Sequence, residues 1–572
     1  MASPHKVPDE YIQGFIKSGQ SLWQAMMLNP AAQVPGSGAP SAQSGAGPFA
    51  DLQLNYFQQQ FALWTRMIAN MAGQLPDAVV APERGDRRFS AVEWRDNPAY
   101  SLLKQSYLLN ARLAGDMVEA AALDEPTKQR LRFYTRQFID SMSPANFAAT
   151  NPEVMQLAFE TRGESLQAGL KNLLADMRKG GLSITDETAF EIGKNVAVSE
   201  GAVVFENALF QLIQYAPLTE RVATRPLLIV PPSINKFYIL DLQPENSFVR
   251  FAVEQGHTLF LVSWRNPDAT CGHITWDDYL SQGVMKAIEV ALAISGADKL
   301  NALGWCVGGT ILSCALAVLR ARADTSVASL TLLTTMLDFQ DPGDLGVFID
   351  EQGVASREQA IGQGGIYPGA ELGFVFQTLR ANDLIWPNVI NHYLKGKSPE
   401  AFDLLYWNAD STNLPGPMYA WYLRNMYLEN NLCVADRLTM CGTPVDLGRI
   451  DLPSYVLATQ DDHIVPWKSA YRTTQLVGGK TQFVLGASGH IAGVINPASK
   501  NKRRYWTGGT LGDDADQWLA SAEATPGSWW PHWIKWLAPK AGKPVDARSQ
   551  LGSKKYAVIE AAPGRYVKVR AE

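Results

Sequence analysis

The run Lys299-Leu-Asn-Ala-Leu-Gly-Trp-Cys-Val-Gly-Gly-Thr-Ile-Leu-Ser-Cys-Ala-Leu-Ala-Val-Leu319 carries the strongest topological signal in the chain. A short apolar strand pattern leads into Gly304-x-Cys306-x-Gly308, and an apolar helix pattern comes directly after it. This is the spacing of a nucleophile elbow with cysteine in the position more often held by serine. Gly304 and Gly308 give the room that a sharp strand-to-helix turn needs, because side chains there would collide with the strained turn. The start of a helix favours a thiolate, and the backbone N–H of Val307 can face a developing oxyanion. Taken alone, the motif is weak evidence and fits a glycine-rich turn around a buried thiol better than a nucleophile.

Two later segments of the chain decide between an elbow and a plain turn. Tyr455-Val-Leu-Ala-Thr-Gln-Asp-Asp-His-Ile-Val-Pro-Trp467 places Asp461 and Asp462 just past an apolar strand. Phe483-Val-Leu-Gly-Ala-Ser-Gly-His-Ile-Ala-Gly493 places His490 in a glycine-flanked loop after the next one. Nucleophile, acid and histidine, each on a loop after a strand, is the chain order of an α/β-hydrolase triad. Competing readings are an N-capping role for Asp462, a loop role for His490, and His463 as the base. Cys314 falls on the elbow helix and reads as core; Cys271, Cys433 and Cys441 have no base at suggestive spacing.

Short β-rich runs at 203–205, 227–230, 258–262, 300–303, 330–334, 455–457 and 483–485 alternate with amphipathic helices, the pattern of a parallel sheet covered on both faces. The expected fold class is α/β: an α/β-hydrolase core over 196–572 with a cap insertion at about 330–452. Aromatics such as Tyr406, Trp407, Tyr422 and Tyr427 crowd that insertion, which reads either as a water-excluding cover or as ordinary core and dimer packing. An all-helical N-terminal domain is expected over 51–195, with helical runs at 127–142 and 158–178 punctuated by Asn151-Pro152. Before it, Gly36-Ser-Gly-Ala-Pro-Ser-Ala-Gln-Ser-Gly-Ala-Gly47 reads as a flexible linker within a 1–50 arm. In the arm, Tyr11, Phe15, Leu22 and Met26 fit an amphipathic helix. Near the other end, Trp529, Trp533 and Trp536 share a helical face. Residues 546–572 carry six Lys or Arg against three Asp or Glu and read as a solvated end or a contact for another molecule.

Composition removes several functional classes. Fifty Lys and Arg against 56 Asp and Glu give a net charge of −6 and a pI near 5.8. That argues against a nucleic-acid partner held by excess positive charge. A hydrophobic content of 46% with 19% charged residues is too apolar for a disordered chain, and a mean hydropathy of −0.11 is too polar for a multi-spanning membrane protein. No run approaches the roughly 18 apolar residues of a spanning helix, and Met1-Ala-Ser-Pro-His-Lys-Val-Pro-Asp-Glu10 lacks the apolar core of a signal peptide. The expectation is a soluble cytoplasmic protein without a membrane span. None of the five cysteines forms a CxxC pair, so no metal and no cofactor are expected.

Gly304-Trp-Cys-Val-Gly-Gly-Thr310, Pro231-Pro-Ser-Ile-Asn-Lys-Phe-Tyr-Ile-Leu-Asp-Leu242 and Leu261-Val-Ser-Trp-Arg-Asn-Pro267 go further, as do Asp462-His-Ile-Val-Pro-Trp467 and Gly489-His-Ile-Ala-Gly-Val-Ile-Asn-Pro497. Through these motifs the sequence resembles the polyhydroxyalkanoate synthases, bacterial polyester polymerases, and is most similar to their single-subunit class I branch. The resemblance covers residues 80 to 540 or so; the arm lies outside it and the C-terminal end matches loosely. It implies catalytic roles for Cys306, Asp462 and His490 and (R)-3-hydroxyacyl-CoA as substrate. It also implies an active homodimer and contact with the growing polyester chain, the granule surface and granule-associated proteins, in the cytoplasm at that surface. Trp305, where the medium-chain class has Ala, tilts the expectation toward short-chain substrates such as 3-hydroxybutyryl-CoA. Oxyanion donors are expected at Val307 and, from the loop after the third hydrolase strand, at Ile234. Ala492, two residues past His490, is a weaker candidate for the pocket wall. A cysteine α/β-hydrolase acting as thioesterase or small-molecule acyltransferase is the alternative, and a catalytically silent granule scaffold a more distant one.

Overall fold

Leu227–Val230 is an uninterrupted apolar run with all four residues buried, as expected of a parallel strand covered on both faces. In the computed structural model, which describes residues 48–71, 78–83 and 85–571, it lies inside an eleven-stranded sheet. The amphipathic arm and the glycine-serine linker expected from the sequence fall on residues 1–47, outside the described residues. The strands are β1 (Gly201–Glu206), β2 (Phe210–Tyr215), β3 (Leu227–Val230), β4 (Leu259–Trp264), β5 (Leu300–Trp305) and β6 (Val327–Leu333). They continue as β7 (Ser454–Thr459), β8 (Thr481–Gly486), β9 (Arg504–Thr507), β10 (Glu523–Pro526) and β11 (Glu560–Ala561). Their order across the sheet is β10-β9-β8-β7-β6-β5-β3-β4-β2-β1-β11. The six from β8 to β4 are parallel; the strands at both margins run antiparallel. Parallel neighbours need helical crossovers on the faces, and the crossover after β5 is the elbow helix Val307–Ala321, buried along most of its length.

The chain divides into two compact units. One joins the described residues up to Thr185 with Phe374–Glu400; the other comprises Asp186–Gly373 and Ala401–Glu572. In the first unit the helices are α1 (Pro48–Met71), α2 (Pro98–Ala120), α3 (Glu125–Ser141), α4 (Pro152–Glu160) and α5 (Glu164–Lys179). Capping chemistry marks the starts of α2 and α4: the Asn97 and Asn151 side chains accept from backbone N–H groups of the first turn, with proline at the first helical position each time. The expected single run over 158–178 is instead broken between α4 and α5, where Arg162 (φ 51°) and Gly163 (φ 88°) adopt left-handed backbone. Phe374–Glu400 belongs to this unit through buried polar contacts. Gln137 Nε2 donates to the Thr378 carbonyl (2.9 Å) and Tyr393 Oη to Asp176 Oδ2 (2.8 Å). Only the flanks of the 330–452 interval therefore stay with the sheet, including helix Gly416–Tyr422 and the π-helical turn Leu423–Leu428.

The tryptophan-rich helix α7 (Trp530–Leu537; α6 denotes Val307–Ala321) buries Trp530 and Trp533, with Trp529 buried at its N-cap. Trp533 packs on Phe248 at 5.0 Å between ring centroids, and its indole N–H donates to Thr331 Oγ1 at 3.0 Å. Trp533→Ala should cost about 3–5 kcal/mol of stability through the cavity it leaves, measured by denaturant unfolding. The C-terminal segment is not a solvated end. β11 pairs with β1, Val567 is only 1% exposed, and Tyr566 Oη donates to the Asn207 carbonyl.

Candidate functional site

The elbow forms as its glycines require. Cys306 is the N-cap residue of α6 at φ 52°, ψ −130°, a region that a non-glycine side chain seldom adopts. Its amide donates to the Leu333 carbonyl on β6, and its own carbonyl accepts from Gly309 and Thr310, so the turn is tied to the sheet on one side and to the first turn of α6 on the other. A Cβ at Gly304 would lie 2.4 Å from Cα of Gly309, and one at Gly308 would lie 2.4 Å from the Pro231 carbonyl oxygen. The second contact shows that the loop after β3 lies directly against the elbow.

Asp462 follows β7 and His490 follows β8, neighbouring parallel strands, which brings the two side chains together. His490 Nδ1 and Asp462 Oδ2 are 2.7 Å apart, with both side chains almost wholly buried. Asp462 Oδ1 accepts from the amides of Ile464 and Val465, each at 2.9 Å, and Thr459 Oγ1 donates to Oδ2 at 3.2 Å. Asp462 is not a helix N-cap, since the next helix starts at Trp467 with Pro466 as its N-cap; one carboxylate oxygen instead pins the loop turn at Ile464 and Val465 while the other holds His490. The neighbouring Asp461 is exposed, and the histidine bonded to Asp462 is His490, not His463. Fixing Nδ1 leaves Nε2 for the thiol. Burial opposes a charged imidazole here, yet the Asp462 carboxylate and the Cys306 sulfur, by charge and hydrogen bonding, push His490 up to about 10.

The surroundings are aromatic. Trp305 is buried, donates to Thr334 Oγ1 at 2.9 Å and sets its ring 6.4 Å from that of His490. From the segment after β6, Tyr422 stacks on Trp276 at 5.2 Å, and Tyr427 meets Phe339 edge-on at 5.0 Å. Both phenols are pushed up, burial being the largest cause and the Cys306 charge a further one. In the sequence they stand out only as members of an aromatic-rich stretch. Val307 opens α6, where an N–H has no intrahelical acceptor. Ile234 lies in the loop after β3, its carbonyl accepting from Thr412 N–H. Cys314 is buried in the core and its thiol is pushed up by burial. Among the described residues no group of three or more His, Cys, Asp or Glu could hold a metal ion, and no helix is long and apolar enough to cross a membrane.

A parallel sheet with cysteine at its elbow, and acid and histidine at the ends of two adjoining strands, defines a member of the α/β-hydrolase fold. Residues 226–497 match the family described as alpha/beta hydrolase fold. Residues 85–252 match the family described as Poly-beta-hydroxybutyrate polymerase (PhaC) N-terminus. The chain is 54% identical over 546 residues to the poly(3-hydroxyalkanoate) polymerase subunit PhaC of Cupriavidus necator, covering 94% of this chain and 92% of that one. It is 42% identical to the corresponding subunit of Rhizobium meliloti, over 89% of this chain and 84% of that one. To poly(3-hydroxyalkanoate) polymerase 1 of Ectopseudomonas oleovorans it is 40% identical, over 86% and 88%. The chain belongs to the poly(3-hydroxyalkanoate) polymerase family.

Proposed function

We propose that this protein polymerises (R)-3-hydroxyacyl-CoA, of short chain such as 3-hydroxybutyryl-CoA, into a polyester with release of CoA, as a class I acyltransferase working through an acyl-Cys306 thioester. The single observation that carries the reading is the buried His490–Asp462 pair, coupled to a cysteine held at φ 52° on the elbow.

His490 Nε2 takes the Cys306 proton, and the thiolate adds to the thioester carbonyl. Val307 N–H, with a second donor from the Ile234–Asn235 loop, receives the oxyanion. The bond from carbonyl carbon to CoA sulfur breaks, and CoA leaves with the proton from His490. A hydroxyl of an incoming monomer or of the growing chain then gives its proton to His490 and attacks the acyl-thioester. The ester C–O bond forms, the bond to Cys306 breaks and the proton returns to sulfur. Sulfur suits this task because exchange of one thioester for another keeps the acyl group activated. Asp462 holds and charges His490; since both its oxygens are engaged and its side chain is fully buried, a direct part in activating the hydroxyl is disfavoured. The aromatic segment around Tyr422 and Tyr427 excludes water, without which the same chemistry would be hydrolysis.

We place the enzyme, as a homodimer, in the cytoplasm at the polyester surface. Supporting the surface association, Leu54, Phe57, Phe61, Trp64 and Ile68 recur three and four residues apart along α1, and all are exposed. Incubation with 3-hydroxybutyryl-CoA tests the reaction. Stoichiometric CoA with insoluble polyester is expected; CoA with free 3-hydroxybutyrate would instead establish a thioesterase, and no CoA at all a scaffold.

A further inference from the structure

Lys236 follows the Ile234–Asn235 loop in sequence and is 3% exposed. A buried ammonium costs several kcal/mol unless it is paired, and an apolar residue of similar size would stabilise the same core better. The surroundings show what the lysine holds together. Its Nζ donates to the Val569 carbonyl of the C-terminal segment at 2.5 Å. Asp410 and Arg570 supply the neighbouring charges. Asp410 accepts from Tyr238 Oη at 3.0 Å through Oδ2, while its buried Oδ1 has no hydrogen-bond partner.

The lysine backbone is gripped as well. Trp407 Nε1 donates to the Lys236 carbonyl at 2.7 Å, and Asn235 forms a β-bridge with Ser411. The tail is fixed in turn by Asn266 Nδ2, which donates to the Arg570 carbonyl at 3.0 Å, and by the Arg570–Glu187 ion pair at 2.9 Å. Loop, post-β6 segment and C-terminal segment therefore meet at one residue, the C-terminal segment at its side chain and the post-β6 segment at its backbone, and the loop it belongs to touches the elbow at Gly308.

We infer that Lys236 is a positioning residue that fixes the Ile234–Asn235 loop against the Cys306 elbow, anchored through its Nζ on the Val569 carbonyl and through its own carbonyl on the Trp407 indole. The inference rests on the reading of that loop as an oxyanion donor. A donor acts only at hydrogen-bond distance from the developing charge, so a loop displaced by an ångström loses turnover rather than substrate binding.

The test compares Lys236→Met, Lys236→Arg and a chain ending at Val567, with turnover of 3-hydroxybutyryl-CoA normalised to the Cys306 thiols that react with iodoacetamide. Lys236→Met and the shortened chain should each lose about 10- to 100-fold in kcat per reactive thiol, with KM changed by less than about threefold. Combining them should be no worse than the more severe one, and Lys236→Arg should recover part of the loss. A merely structural lysine would lower the number of reactive thiols and leave turnover per thiol unchanged, and that result overturns the inference. If Lys236→Met does not fold, the shortened chain decides. A wild-type chain that releases no CoA overturns the polymerase reading itself; an active wild type with unchanged variants overturns only the role of Lys236.

Discussion

With Cys306 replaced by alanine, CoA release from 3-hydroxybutyryl-CoA is expected to fall by at least about 10³-fold and polymer to disappear, because removing a nucleophile removes the covalent route and leaves only binding and the oxyanion site. The protein should remain folded. Alanine keeps the strained φ of 52° no worse than cysteine does, and the single sulfur atom lost from the apolar cluster around Cys306 costs only about 1 kcal/mol. Thermal unfolding should therefore move little while activity vanishes. Cys306→Ser sharpens the test. A hydroxyl is harder to deprotonate than a thiol, and its acyl ester is less activated than a thioester, so any acyl group that transfers to serine should stay there. One acyl group per protein, seen by intact-mass measurement without polymer, is the expected signature. Wild-type polymer yield from Cys306→Ala would remove the basis of the proposed reaction.

Sequence reading goes furthest where the chemistry is local. The elbow is legible because two glycines and one cysteine must be adjacent in the chain to make the turn, and Asp462 and His490 because each sits directly behind an apolar strand. β2 escapes it: Phe210–Tyr215 contains Gln211 and Gln214, whose buried amides break the apolar pattern. Beside the local bond from Gln211 to Glu206, partners come from far along the chain, since Gln211 also donates to Glu560 and Gln214 accepts from the amide of Gly552. The C-terminal segment is illegible for the same reason, its basic composition resembling a free end although Val567 and the Val569 carbonyl find their places only on the folded sheet. Lys236 is the clearest case. A lysine reads as surface, and nothing in Asn235-Lys-Phe-Tyr238 announces that a carbonyl more than three hundred residues later will receive its ammonium. Phe374–Glu400 likewise reads as continuous with the cap, because the groups that hold it, such as Gln137 and Asp176, lie far upstream.

Asp462→Asn should cost about 10³- to 10⁴-fold in kcat while leaving the fold intact, and the reason is directional. The carboxylate only accepts from His490 Nδ1 and so keeps the proton there, with Nε2 free to take one from Cys306. An asparagine amide can turn its NH₂ toward Nδ1, which shifts the ring proton to Nε2 and leaves no base for the thiol. The electrostatic consequence carries its own sign. In the wild type His490 is pushed from the ordinary 6.5 up to about 10. A histidine raised on folding contributes stability that is fully present below pH 6.5 and is lost as pH climbs through about 10. In Asp462→Asn burial remains, being the largest single influence and one that opposes the charged ring, while the carboxylate is gone. That stability contribution should disappear from the pH dependence of unfolding. A variant that kept both the turnover and the pH dependence would show that another group charges His490, and the triad assignment would have to give up Asp462.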